Sequence, residues 1–234
     1  MNNNQIMKTL LLASLMAITS AKAAEPSQPM PAYDPNSPAN LASKAKYDGY
    51  ARDGQSLSTV DLAKELERLD AAKKSRRALL TKPEEILASV FLMTDDDMRA
   101  ISYSTVLQKR SDSGDPYSSF VFGVRQWAYC LQLDRQQGDV WVKQAEECWQ
   151  GVLPAFKRAS EAKIADATFN VAKIYENGFG VSPSKLVAAE WYVKSAEQYN
   201  KKKARDEALT AVERAVDLVP DHPAALRLRK SMLK

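Results

Sequence analysis

The sequence predicts an all-α chain, an α-solenoid of antiparallel helix pairs preceded by a helical cap, and three observations point there. Ala, Leu, Lys and Glu are abundant against 8 Gly and 11 Pro, and those four residues lose little on entering a helix. No stretch of useful length alternates apolar with polar residues, so no sheet is expected. Residues 155–161, Ala-Phe-Lys-Arg-Ala-Ser-Glu, recur 36 positions later as 191–197, Trp-Tyr-Val-Lys-Ser-Ala-Glu. Such a period marks stacked helical pairs, none able to bury its apolar stripe without a neighbour.

Composition excludes several kinds of protein. With 234 residues, 45% hydrophobic and 26% charged, the chain can bury one sizeable core. A formal charge of +4 is too small and too dispersed for a nucleic-acid binder. One histidine, His222, and two cysteines cannot furnish a usual zinc ligand set or a histidine-based triad with spare parts, and no metal or other cofactor is expected.

Residues 1–23 read as a secretory signal peptide. Lys8 precedes an apolar run from Leu10 to Ile18, too short to span a bilayer comfortably, and Ala21-Lys22-Ala23 has the small-x-small form of a cleavage site. Cleavage takes Lys8 and Lys22 away and lowers the formal charge from +4 to +2. No cysteine near the cleavage site offers a lipid-anchor acceptor, and no later segment has the length and apolarity of a membrane span. The expected location is therefore the bacterial periplasm.

Export gives the cysteines a meaning. In an oxidising compartment Cys130 and Cys148 are expected to pair. Residue 139 is midway between them, and a helical hairpin turning at Gln136-Gln137-Gly138-Asp139 would bring them level.

Residues 24–58, with five prolines and no sustained apolar period, are expected to be a flexible lead-in. Thr59 can then cap a helix whose stripe is Leu62, Leu66 and Leu69. Lys73, Lys74, Arg76 and Arg77 follow as a solvated last turn favoured by the helix dipole, in preference to an anion site. Thr81 with Glu84, and Thr94 with Asp97, have the spacing of two further helix starts. The first opens a stripe of Ile86, Leu87, Val90 and Phe91. Asp95-Asp96-Asp97 reads as a negative first turn; the Gly and distal Glu of a calcium loop are missing. Ser111-Asp112-Ser113-Gly114-Asp115-Pro116 is the clearest internal boundary. It divides a helical cap region, 59–110, from a repeat region, 116–234.

Within the repeat region, Asp166-Ala167-Thr168-Phe169-Asn170-Val171-Ala172-Lys173-Ile174-Tyr175-Glu176-Asn177-Gly178-Phe179-Gly180-Val181 leads to Ala188-Ala189-Glu190-Trp191-Tyr192-Val193-Lys194-Ser195-Ala196-Glu197-Gln198. This run resembles a nearly complete Sel-one-like repeat, a relative of the tetratricopeptide repeat. Ala172 permits close helix contact, and Gly178 and Gly180 allow unusual backbone angles in the turn. Trp191 and Tyr192 fill the space between helices. Residues 155–162 resemble the second helix of an earlier unit, with Ala155 where the pattern has Trp. That unit's first helix, 116–133 with Phe120, Phe122 and Gly123, departs from the pattern. Residues 204–223 resemble the second helix and closing turn of an ordinary tetratricopeptide unit. The likeness covers about 45 residues closely and about 120 loosely.

The resemblance implies a non-catalytic adaptor that assembles or regulates a cell-envelope complex, in secretion, export or signalling, by binding a protein or peptide segment. Candidate contact residues are polar positions beside the buried stripe of first helices: Asn170, Lys173 and Asn177, with Arg125 and Tyr129 from the earlier unit. Trp127, Trp141, Trp149 and Trp191 are expected to be core; any two exposed together would become the best hot spot.

The opposing class is enzymatic, because some members of the resembling family are associated with penicillin-type ligands or β-lactam hydrolysis. Ser43/Lys46, Ser160/Lys163, Ser182/Lys185 and Ser231/Lys234 fit Ser-x-x-Lys, yet the companion Ser-Asp-Asn and Lys-Thr-Gly elements are missing. Those relatives also repeat a disulfide in each unit, whereas one cysteine pair is present here. His222, in Pro220-Asp221-His222-Pro223, reads as turn chemistry in preference to a general base. An inhibitor or regulator of an envelope enzyme is the third reading.

Overall fold

The computed structural model describes residues 37–78, 94–135 and 139–233, apart from the side chains of 39, 77 and 139–141. The expected signal peptide, the Thr81/Glu84 helix start with its Ile86–Phe91 stripe, the Gln136–Gly138 turn and the Trp141 side chain lie outside the described residues. Among those described, the regular elements are all helices: α1 (Pro38–Ser56), α2 (Thr59–Ala78), α3 (Asp95–Asp112), α4 (Pro116–Asp134), α5 (Asp139–Glu161), α6 (Ala165–Asn177), α7 (Lys185–Lys201), α8 (Arg205–Leu218) and α9 (Pro223–Met232). None is long and apolar enough to cross a membrane.

Contacts divide the chain into two units that meet at Tyr103 and Ser104, inside α3. In the first unit, α1 corrects the expectation of a flexible lead-in through residue 58. The Ser37 hydroxyl accepts from the Asn40 amide at 3.3 Å and Pro38 stands at the first helical position, so a start signal was present without an apolar stripe. Helix α2 begins at Thr59, but Ser58 is the residue that caps it. Its hydroxyl accepts from the Asp61 amide at 3.1 Å and donates to the Asp61 carboxylate at 2.6 Å, a register one residue earlier than expected. Leu62, Leu66 and Leu69 are buried, at 0%, 0% and 2% exposure, as their spacing requires.

The start of α3 carries the expected Thr94–Asp97 box. The Thr94 hydroxyl accepts from the Asp97 amide at 3.2 Å while the Asp97 carboxylate accepts from the Thr94 amide at 3.1 Å and hydroxyl at 2.8 Å. Lys73 approaches Asp97 at 3.0 Å and Arg76 approaches Asp96 at 2.8 Å. The basic run and the acidic run thus answer each other, where the sequence alone suggested two solvated turns. Both cations remain well exposed, so each pair contributes about 0–1 kcal/mol.

In the second unit, α4 to α9 each pack on the next helix in sequence, and α9 also reaches α7. The Ser111–Pro116 break is a packed turn. Ser111 and Ser119 are buried with their hydroxyls 3.1 Å apart, Arg158 of α5 donates to the Ser111 hydroxyl at 2.9 Å, and Asp115 caps α4 through the Ser118 amide at 2.7 Å.

The core follows the recurrence found in the sequence. Phe156 and Tyr192, equivalent at the 36-residue offset, are both fully buried, as are Ala155, Ala159, Ser195 and Ala196. The ends of α5 and α7 are also alike. Lys163 (φ 62°) and Lys203 (φ 61°) are left-handed, and the next amide bonds back to a carbonyl of the last turn, Ile164 to Ala159 and Ala204 to Tyr199. These ends are 40 residues apart, so α7 runs one turn beyond the recurrence. A buried polar chain links three helices: the Ser160 and Thr168 hydroxyls are 2.8 Å apart, and Thr168 donates to Gln198 Oε1 at 2.7 Å.

Candidate functional site

Cys130 of α4 and Cys148 of α5 form the expected disulfide, with Cα atoms 5.6 Å apart. Next to it, Trp149 is tied at both ends. Its indole Nε1 donates to Asp134 Oδ2 at 3.0 Å, and its ring stacks on Phe179 with centroids 4.5 Å apart and planes 11° from parallel. Trp127 meets Trp149, Phe156 and Phe179 edge-on at 5.6, 5.9 and 5.3 Å. Phe179 comes from the turn between α6 and α7. Gly178 (φ 76°) ends α6 in the left-handed region, and a Cβ on Gly180 (φ 68°) would lie 2.6 Å from the Trp149 Cβ, so this turn needs glycine on two counts.

Asp134, Trp149, Gly178, Phe179 and Gly180 line a groove of about 800 Å³, open to solvent, at the end of α4, the first half of α5 and the α6–α7 turn. Its lining is mixed: Leu133, Ala145 and Trp149 are buried, Val142 is exposed, Phe179 and Val181 add apolar surface, and Asp134, Glu146, Gln150 and Ser182 add polar surface.

The contact residues expected from sequence fall into two groups. Lys173 rests over the Trp127 ring at 5.4 Å, the half-buried Asn170 lies one turn before it, and the Asn177 amide donates to the Lys173 carbonyl at 2.8 Å. Arg125 and Tyr129 sit two residues to either side of Trp127, about 160° round α4 from it. The side of α4 that meets Lys173 is therefore not the side that carries them. Tyr129 is exposed and Arg125 half-buried.

Two tyrosines bind α7 to carboxylates on α6. Tyr192 donates to Glu176 Oε2 at 2.5 Å, and Glu176 Oε1 accepts from Arg214 of α8. Tyr199 donates to Asp166 at 2.7 Å. Burial, then the hydrogen-bonded carboxylate, pushes both phenols well above their ordinary value. The Glu176 charge raises the Arg214 guanidinium in turn.

Other candidates resolve into local structure. His222 caps α9, accepting from the Ala225 amide at 3.3 Å. Ser160 lies in the buried polar chain, and Ser231 donates to the Leu228 carbonyl. Trp149 is buried while Trp127 and Trp191 are half-buried, so no two of these three are exposed together. No group of three metal-ligating side chains converges among the described residues. The sequence reading missed the groove because its walls come from segments some 45 residues apart; the one available signal was the Gly-Phe-Gly turn, read there only as backbone chemistry. Compared with protein-family models, curated proteins and solved structures, the chain matches none of them.

Proposed function

We propose that this protein is an exported, non-catalytic adaptor of the bacterial cell envelope. In this reading α4–α9 are an α-solenoid of antiparallel pairs, of the Sel-one-like and tetratricopeptide kind. The observation that carries it is the equivalence of Phe156 and Tyr192, 36 residues apart and both wholly buried between helices that pack on their sequence neighbours. Interior positions go to packing, which leaves the outer surface for contact. The direction of α7 against α6 supports pairing in opposite senses, since Tyr192 meets Glu176 whereas the later Tyr199 meets the earlier Asp166. The Cys130–Cys148 bond fits an oxidising compartment such as the periplasm.

Photo-crosslinking side chains placed at Val142 and at Asn170 test this in envelope preparations of the native host. One discrete adduct with an envelope protein is the expected result, together with no turnover of a chromogenic β-lactam. Hydrolysis that a single serine substitution abolishes would overturn the reading.

A further inference from the structure

The groove beside Trp149 differs in charge from the molecule around it. The exported chain is nearly neutral, formally +2 once residues 1–23 are removed, yet the groove's described lining contains Asp134 and Glu146 and no Lys or Arg. Asp134 is held at the rim by the Trp149 indole, and Glu146 lies one turn from both Val142 and Trp149 on α5. With them the lining has Val142, Trp149, Phe179 and Val181, which supply apolar surface, beside Gln150 and Ser182. The disulfide fixes α4 against α5, and the Gly180 backbone lies directly on Trp149, so little ordering remains to oppose binding.

We propose that this groove docks a short segment of a partner protein in which a Lys or Arg adjoins a large apolar side chain. The apolar group covers Val142 and the floor beside Phe179, and the cation meets the two rim carboxylates. The groove's charge selects the partner, because an acidic segment would face Asp134 and Glu146 without a counter-charge, and a neutral one would gain no ion pair with either. This inference rests on the adaptor reading and names the partner's chemistry.

The test uses the purified full-length protein, oxidised, against a displayed library of random octapeptides, followed by anisotropy titration of a labelled octapeptide from the enriched set. The expected enrichment is Lys or Arg beside Leu, Ile, Phe or Trp. Glu146→Lys, at an exposed position, should weaken the selected peptide roughly fivefold, and added salt should weaken it further. Arg227→Ala, at an exposed position of α9, should leave it unchanged. Enrichment of neutral or acidic peptides, no enrichment at all, or full affinity in Glu146→Lys would overturn the proposal. If an envelope partner is captured through another surface, the groove assignment falls and the adaptor reading stands; peptide binding with no envelope partner leaves the reverse.

Discussion

Phe156 Cε1 lies 2.8 Å from the point that a Cβ on Gly123 would occupy, so α4 and α5 approach as closely as a glycine allows. Gly123→Ala should therefore be destabilising despite alanine's better helix propensity. Overpacking against a fully buried ring costs about 1–3 kcal/mol, and the propensity gain returns about 1 kcal/mol. Urea unfolding should show a net loss of about 1 kcal/mol, and the same substitution made in a Phe156→Leu background, where the ring atoms are gone, should cost little beyond Phe156→Leu itself.

The Cys130–Cys148 bond spans a sequence separation of 18 residues. Chain entropy alone assigns such a link about 3 kcal/mol. The urea midpoint of oxidised protein should exceed that of protein held in dithiothreitol by a corresponding amount, and Cys130→Ser/Cys148→Ser should match the reduced form. Equal midpoints would mean that packing between α4 and α5 suffices without the bond.

Tyr192 and Tyr199 give the second unit an alkaline limit. Their phenols titrate higher in the folded chain than the ordinary 10.0 of an unfolded one. Their contribution is therefore complete below pH 10 and is lost as pH rises above that value toward the folded pKa. Stability measured between pH 8 and 11 should fall steeply above pH 10, and Tyr192→Phe/Tyr199→Phe should flatten that fall.

At the start of α3, burial favours the neutral Asp97 carboxyl, but the Thr94 hydroxyl and amide and the Lys73 ammonium outweigh it and hold the group below 3.8. Thr94→Ala should cost about 1 kcal/mol in the first unit. It should also move the Asp97 titration, followed by carboxyl-carbon NMR, upward toward the ordinary value. The stabilisation is present above pH 3.8 and lost as pH falls through the folded pKa. An unmoved titration would assign the shift to the residue-94 amide and Lys73, without the hydroxyl.

What the sequence revealed and what it hid follow from the range of the interactions involved. The Thr94–Asp97 box and the Leu62–Leu66–Leu69 stripe depend on neighbours within one or two turns, and spacing exposed them; His222 was legible only as turn chemistry, and its cap on α9 was not. The disulfide is longer in range, yet an expected turn midway between the cysteines and an expected export were enough to predict it. Helix α1 was hidden because it has no apolar stripe, although Ser37-Pro38 is a start signal. Pairing of Lys73 and Arg76 with Asp97 and Asp96 depends on how α2 meets α3, which no local pattern encodes. The groove was hidden for the same reason: Asp134, Val142 and Glu146 come to line one groove with Phe179 only after α4, α5 and the α6–α7 turn have packed.

The most direct test of the adaptor account is native electrophoresis of gently solubilised envelopes from host cells with and without this protein. The account predicts that one multiprotein assembly is lost or shortened without it and is restored by the full chain, while no small-molecule substrate accumulates. An unchanged set of assemblies, accompanied by build-up of a metabolite that the purified protein consumes, would contradict it.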